Sequence, residues 1–307
     1  MEFLYLLEKI RVPGLNEIML AVTTLGEETA FLALALIFFW CVDKRKGYLL
    51  MAVGFFGTIA NQFMKLLFRV PRPWVLDENF TILEQAREAA AGYSFPSGHT
   101  QFAVGTFGSI CATTEKGWLK VICVTLAILV GFSRMYIGVH TPQDVLVAAA
   151  MAMILVLVLK KVIMEGGDSA MKILIAFLLM AAVGLLAYVE CCISPDEVDA
   201  HNLQSGMKNA YTMLGCIVGV AVVYVVDSKY LNFSTQAVWW AQILKAVLGL
   251  GVVILVKEVF RAPLEALFGG HMGARAVRYF LIVIVAGILW PLTFRWFEKL
   301  GRKEEAK

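Results

Sequence analysis

The sequence predicts an all-α, polytopic membrane helical bundle, with about nine transmembrane helices and interfacial amphipathic helices at its N-terminus. Three observations predict it. Of the 307 residues, 60% are hydrophobic and 17% are charged, which leaves too little Lys and Glu to cover a soluble domain of this size. The apolar residues fall in runs approaching the roughly 20 needed to cross a bilayer. The short loops between those runs carry Lys and Arg mostly on one side, as chains threaded through a membrane do.

Residues 1–25 mix Glu2, Glu8, Lys9, Arg11 and Glu17 with Leu, Ile and Phe. They read as amphipathic helices in the interface, broken at Pro13-Gly14. Acidic, amphipathic residues thus precede the first apolar run, so no cleavable signal peptide is expected. Apolar runs follow at about 27–42, 47–68, 99–114, 118–139, 142–164, 171–192, 209–226, 239–259 and 277–298. The segment 73–95 is the longest polar excursion of the first half. Its stretch Glu78 to Ala91 is helix-prone and is expected on the outer surface, either shaping access to a site or simply connecting two spans.

Asp43-Lys44-Arg45-Lys46, the turn with Lys116 and Lys120, Lys160-Lys161 with Lys172, and the tail with Lys299, Arg302 and Lys303 share one side. The positive-inside rule makes that side cytoplasmic. Arg261, Arg275 and Arg278 would lie opposite and run against the rule. The net charge of +3 is small and dispersed, which argues against a nucleic-acid partner. Cys41, Cys111, Cys123, Cys191, Cys192 and Cys216 lie mostly within apolar runs without metal-ligand spacing and read as small core residues.

Three polar clusters interrupt the apolar chain on the face opposite the basic turns: Lys65 with Arg72-Pro73, Pro96-Ser97-Gly98-His99, and Ser133-Arg134 with His140 and Asp144. Charged groups at membrane depth are costly and mark working sites. Thr141-Pro142-Gln143-Asp144 opens an apolar helix with an N-cap, a first-turn Pro and an acid. Asp144 therefore serves as a capping-box acid, as the partner that fixes the tautomer of His140, or as both. A neutral His140 held this way is a nucleophile. His99 starts another helix, beside amides suited to an anion, and is either a proton donor or an interfacial polar residue. Lys65, Arg72 and Arg134 match the charge that spreads over a transferring phosphoryl group; the alternative for Lys65 and Arg72 is snorkelling to head groups, which is the reading for Arg69.

These clusters resemble the signatures of the type 2 phosphatidic acid phosphatases, the membrane branch of the group that includes vanadium haloperoxidases. The family patterns K-x-x-x-x-x-x-R-P, P-S-G-H and S-R-x-x-x-x-x-H-x-x-x-D are met in order by Lys65 to Arg72-Pro73, Pro96 to His99, and Ser133-Arg134 to His140 and Asp144. The resemblance covers about residues 20–165. It implies that His140 forms a phosphohistidine, that His99 is the acid, and that Asp144 orients His140. It further implies that Lys65, Arg72, Ser97, Gly98 and Arg134 hold the phosphate, with no metal and no cofactor. The expectation is a phosphatase of a membrane lipid phosphate or diphosphate, multi-pass in the cell membrane, with its site on the extracytoplasmic side. Undecaprenyl diphosphate, phosphatidic acid, phosphatidylglycerol phosphate and sphingoid-base phosphates present similar head groups. A lipid phosphotransferase would use the same residues, whereas a transporter or scramblase would have no use for His140 paired with Asp144.

The expected division is a catalytic helical domain over 1–165 and a C-terminal transmembrane region over 166–307. The second part carries a faint internal echo. Lys257 to Pro263 resembles Lys65 to Pro71, Gly270-His271 resembles Gly98-His99, and Thr212 to Gly215 resembles Thr23 to Gly26. Either this part is a degenerate duplicate lacking a nucleophile or the matches are chance. His271 reads as an interfacial polar residue.

Overall fold

The computed structural model describes residues 1–300 except 88, 89, 91, 195 and 197. The described residues form helices joined by short turns, with no strand among them. The helices in chain order are α1 (Glu2–Lys9), α2 (Pro13–Thr24), α3 (Glu28–Ile37), α4 (Lys44–Phe68), α5 (Pro73–Leu76), α6 (Gly98–Thr113), α7 (Gly117–Ile137), α8 (Pro142–Lys160), α9 (Asp168–Ala187), α10 (Ala200–Val226), α11 (Trp239–Val259), α12 (Arg261–Leu267), α13 (Gly273–Ile284) and α14 (Phe294–Lys299).

The all-α membrane architecture is as the sequence predicts, but the span count is lower. Among the described residues, six helices are long and apolar enough to cross a membrane, or seven if α2 and α3, bent by 50°, form one broken span. Part of the difference lies in α6, whose 16 residues reach only about 24 Å at 1.5 Å per residue, short of a hydrocarbon core of roughly 30 Å. The break at Pro13 is where the sequence puts it, with Pro13 in the first turn of α2. These N-terminal helices are tied to the loops above the bundle. Tyr5 donates to Asp77 at 2.8 Å, and Arg11 donates through Nε to the Tyr136 carbonyl at 2.9 Å.

Helix α4, with 25 residues, is the central post. The Asp43 carboxylate accepts from the amides of Arg45 (2.7 Å) and Lys46 (3.1 Å) and caps its N-terminus. Helices α6 and α8 pack against it on one side, with α7 lying against α6; α9 and α10 pack on the other, and α13 covers α10. The two parts of the chain share one core, and Trp40 donates to the Ala286 carbonyl at 2.8 Å within it. The basic turns at 43–46 and 160–172 meet at one end: Lys44 pairs with Asp227 at 2.8 Å, Arg45 donates to the Met164 carbonyl at 3.1 Å, and Tyr224 donates to Asp168 at 2.8 Å; Arg302 and Lys303 of the tail lie outside the described residues. The three polar clusters meet at the opposite end.

Two readings need correction. Among the described residues of the stretch Glu78 to Ala91, the helical part is one 3₁₀ turn, Glu84–Ala86, and Glu88, Ala89 and Ala91 lie outside the described residues. Local turns, such as the Ala86 amide to the Leu83 carbonyl at 2.9 Å, are interrupted by a bond to a distant segment, with the Leu83 amide donating to the Ile137 carbonyl at 3.1 Å. The cysteines also divide. Cys123 and Cys216 are buried, but Cys191 and Cys192 are exposed, because they end a π-helical turn, Tyr188–Cys192, at the tip of α9.

Candidate active site

Each catalytic candidate sits where a helix starts or stops. Helix α4 carries Lys65 in its last turn and ends at Arg69 in the left-handed region, φ 51°. That turn brings Arg72 back over the helix end. Helix α7 carries Arg134 and stops at Gly138, φ 94°, whose amide donates to the Arg134 and Met135 carbonyls. Glycine is required there twice over, since a Cβ would meet Arg11 Nη2 at 2.7 Å and Phe80 at 3.0 Å. The chain then delivers His140 directly ahead of α8. Thr141 and Asp144 form a reciprocal capping box, with the Thr141 amide donating to Asp144 Oδ2 at 2.8 Å.

The Asp144 carboxylate therefore caps and orients at once. Its Oδ2 also accepts from Ser94 Oγ at 2.6 Å and lies 3.3 Å from His140 Nδ1. On the other side of the ring, Arg72 Nη1 stands 2.9 Å from His140 Nε2. A guanidinium can only donate, so Nε2 must be the acceptor and the ring proton must sit on Nδ1, facing Asp144. The tautomer follows from these two partners. His140 is buried, and that burial, followed by the positive fields of Arg72, Arg134 and Lys65, holds its pKa well below the ordinary imidazole value.

Lys65, Arg72 and Arg134 are all buried. Backbone carbonyls hold the first two: Lys65 donates to Tyr93, and Arg72 donates to Gly92 and to Val139, both at 3.0 Å. Arg134 differs. Its Nη1 donates to Thr23 Oγ1 at 2.7 Å, while its Nε and Nη2 are buried with no hydrogen-bond partner. Buried donors of this kind are exceptional in folded proteins and call for a partner. His99 interacts electrostatically with His140 and with the same three cations, and its Nε2 is also buried without a partner. Ser97 caps α6, accepting from Thr100 Oγ1 at 3.0 Å and from the Thr100 amide at 3.4 Å. Both bonds use its lone pairs, so its own hydroxyl proton stays uncommitted. The Ser97 amide donates to the Asp144 carbonyl at 3.1 Å, which joins the α6 start to the α8 start. Gly98 follows at the head of α6, where a Cβ would find only Asn61 Oδ1, at 4.0 Å.

All eight predicted residues thus converge at one end of the bundle. Two supporting residues escaped the sequence reading. Ser94 is fully buried and bonds Asp144, but a single serine in an irregular loop carries no periodic or motif signal. Thr23 anchors Arg134, yet a Thr within an apolar run is ordinarily read as bonding its own helix. An apolar groove of about 500 Å³ between α6, α7 and α8 begins beside the site at Thr100, Gly131 and Val145 and continues down to Cys111 and Leu157. A second cavity of about 800 Å³ opens over Arg72, bordered by Trp74 and Arg87.

Comparison with known proteins gives a consistent picture. Residues 45–168 match the PAP2 superfamily, and residues 211–303 match the family described as PAP2 superfamily phosphatase, transmembrane extension. Undecaprenyl-diphosphatase BcrC of Bacillus subtilis (strain 168) is 34% identical over 128 residues, covering 41% of this chain and 63% of BcrC. Phosphatidylglycerophosphatase B of the same organism is 30% identical over 164 residues, covering 49% of this chain and 76% of that protein. The crystal structure of Aquifex aeolicus LpxE aligns at 30% identity and a TM-score of 0.47, covering 52% of this chain and 93% of LpxE.

Proposed function

This chain belongs to the PAP2 superfamily, and we propose from that premise that it hydrolyses a membrane lipid phosphate or diphosphate through a phosphohistidine on His140. The observation that carries the reading is the fixed imidazole: Nδ1 faces Asp144 at 3.3 Å and Nε2 faces a cluster of buried cations. A site that merely bound phosphate would need the cations and not the oriented lone pair.

In the proposed reaction, Arg72 Nη1 turns from His140 Nε2 to the phosphate, and the freed Nε2 lone pair attacks phosphorus in line, forming the N–P bond as the bond to the lipid oxygen breaks. Protonated His99 gives its proton to that leaving oxygen. Asp144 stabilises the positive charge that His140 gains. Lys65, Arg72 and Arg134 neutralise the non-bridging oxygens, with the two unpaired donors of Arg134 and the free proton of Ser97 as additional donors. Glycine at 98 leaves the backbone open to an oxyanion. A water that gives its proton to His99 then attacks phosphorus and breaks the N–P bond. Inorganic phosphate leaves, and His140 returns neutral. The protein's own cations supply the charge neutralisation, so no metal is required.

The lipid tail is proposed to lie in the groove between α6, α7 and α8, with access from the bilayer. The relatives' names suggest an isoprenoid diphosphate or a glycerophospholipid phosphate as substrate. The gathering of basic turns at the far end supports an extracytoplasmic site. His140→Ala in the purified full chain tests the assignment: release of phosphate from phosphatidic acid and undecaprenyl diphosphate should fall to background, and a variant as active as wild type would end it.

A further inference from the structure

A second cationic cavity, of about 490 Å³, lies between α10, α12 and α13, remote from His140 in sequence and on the same face of the bundle. The shared face follows from α3: Gly26 packs against the His99 backbone, and Glu28, two residues on, interacts electrostatically with Arg275 and Lys257. The cavity is bordered by Lys208, Arg261, Glu265, His271, Arg275 and Arg278. Within this lining one carboxylate, Glu265, faces four cations, standing 3.5 Å from Arg261 and 3.8 Å from Arg278, while Glu28 interacts with Arg275 from outside it. Arg278 is only 7% exposed, and its Nε is buried with no hydrogen-bond partner. A buried guanidinium left this way is costly unless an anion completes it.

The arrangement repeats a feature of the catalytic site. Arg275 Nε donates to Thr212 Oγ1 at 2.7 Å, as Arg134 Nη1 donates to Thr23 Oγ1 at 2.7 Å. In both places a threonine on a neighbouring helix steadies an arginine beside unpaired buried guanidinium nitrogen. His271 borders this set, but its Nδ1 accepts from the Gly273 amide at 2.9 Å, the opposite tautomer to that of His140. The surroundings identify the anion's source, because Val259, Phe260 and Phe268, which flank α12, and Leu267, which ends it, have exposed side chains. Apolar residues beside a cationic cavity on a membrane protein suit a bilayer surface. The geometry points to a second, non-catalytic site that binds the phosphate head group of a membrane lipid. It also accounts for Arg261, Arg275 and Arg278 standing on the face where the positive-inside rule expects few cations.

The test is native mass spectrometry of the full chain in detergent, with a dioctanoyl phosphonate analogue of phosphatidic acid that cannot be hydrolysed. Wild type should retain two molecules, Arg278→Gln one and Arg134→Ala one, the second site weakening on the order of tenfold or more without its arginine. Arg278→Lys should restore part of the binding. Lys208→Gln and Arg261→Gln, at less buried positions, carry the same test if Arg278→Gln does not fold. Phosphate release from dioctanoyl phosphatidic acid should be unchanged in Arg278→Gln, which separates this site from the catalytic one. Two molecules still bound by Arg278→Gln would overturn the proposal. So would equal binding of dioctanoyl phosphatidylcholine, or displacement by inorganic phosphate at equal concentration, which would make it a site for the free ion.

Discussion

Replacing Asp144 separates two tasks that one oxygen performs. Oδ2 accepts from the Thr141 amide at 2.8 Å and from Ser94 Oγ at 2.6 Å, and faces His140 Nδ1 at 3.3 Å. Asp144→Asn can keep its amide oxygen in that position, so all three donors retain an acceptor and only the charge is lost. Asp144→Ala removes the acceptor. It opens the capping box, worth about 0.5–2 kcal/mol, and leaves the buried Ser94 hydroxyl unpaired, at about 1–3 kcal/mol. The expected destabilisation is therefore about 1.5–5 kcal/mol for Asp144→Ala and about 1 kcal/mol for Asp144→Asn, where neutral bonds replace charge-assisted ones. Catalysis should not follow stability. Without the carboxylate, the positive charge that forms on His140 goes uncompensated, and kcat in either variant should drop by roughly 10²–10⁴. Thermal unfolding in detergent and steady-state phosphate release measure the two effects independently. An Asp144→Asn protein with wild-type kcat, or one as unstable as Asp144→Ala, would refute this division of labour.

Ser94→Ala should lower kcat on the order of tenfold with a modest loss of thermal stability, because Asp144 keeps its backbone donor but loses its shortest bond; unchanged kinetics would remove Ser94 from the site. Arg134→Lys keeps the charge but loses the fork that presents two unpaired donors, and should cost roughly 10²-fold in kcat/KM for a lipid phosphate; full activity would show that charge alone suffices. Because burial and then Arg72, Arg134 and Lys65 depress the His140 pKa, the free protein should hold this ring neutral at pH values below the ordinary midpoint of about 6.5. Nitrogen NMR of ¹⁵N-histidine-labelled protein at pH 6 reads this directly, and an imidazolium signal assigned to His140 would contradict it. Phosphate release should persist in excess EDTA, whereas complete loss restored by a divalent ion would refute the charge balance proposed for Lys65, Arg72 and Arg134.

The site was more legible in the sequence than the architecture around it. His140, Thr141 and Asp144 lie within one helix start, where spacing alone dictates the capping box and the imidazole contact. Lys65 and Arg72 straddle a helix end, and their separation survives because Arg69 accepts a left-handed turn. Ser94, Thr23 and the carbonyls of Gly92, Tyr93 and Val139 could not be read, since their roles depend on contacts between remote segments and two of the three cations are held by backbone atoms that any residue supplies. The expected nine spans exceed the six or seven described helices long and apolar enough to cross, for a related reason. Apolar length says that α6 is buried, but a helix sheltered by α4, α7 and α8 need not be long enough to face lipid on both leaflets. The stretch Glu78 to Ala91 is helix-prone by composition, yet its described residues make only short turns, because contacts to remote segments, such as Leu83 to Ile137 and Thr81 to Glu8, interrupt the local bonds.

The claim on which the account rests is that His140 carries the phosphoryl group during turnover. Rapid mixing of the purified chain with ³²P-labelled phosphatidic acid, quenching in alkali and peptide mapping would detect it. The account predicts acid-labile, alkali-stable label on the peptide containing His140, absent in His140→Ala. Label on another residue, or turnover by the wild-type chain in which no labelled protein can be trapped at any mixing time, would contradict it.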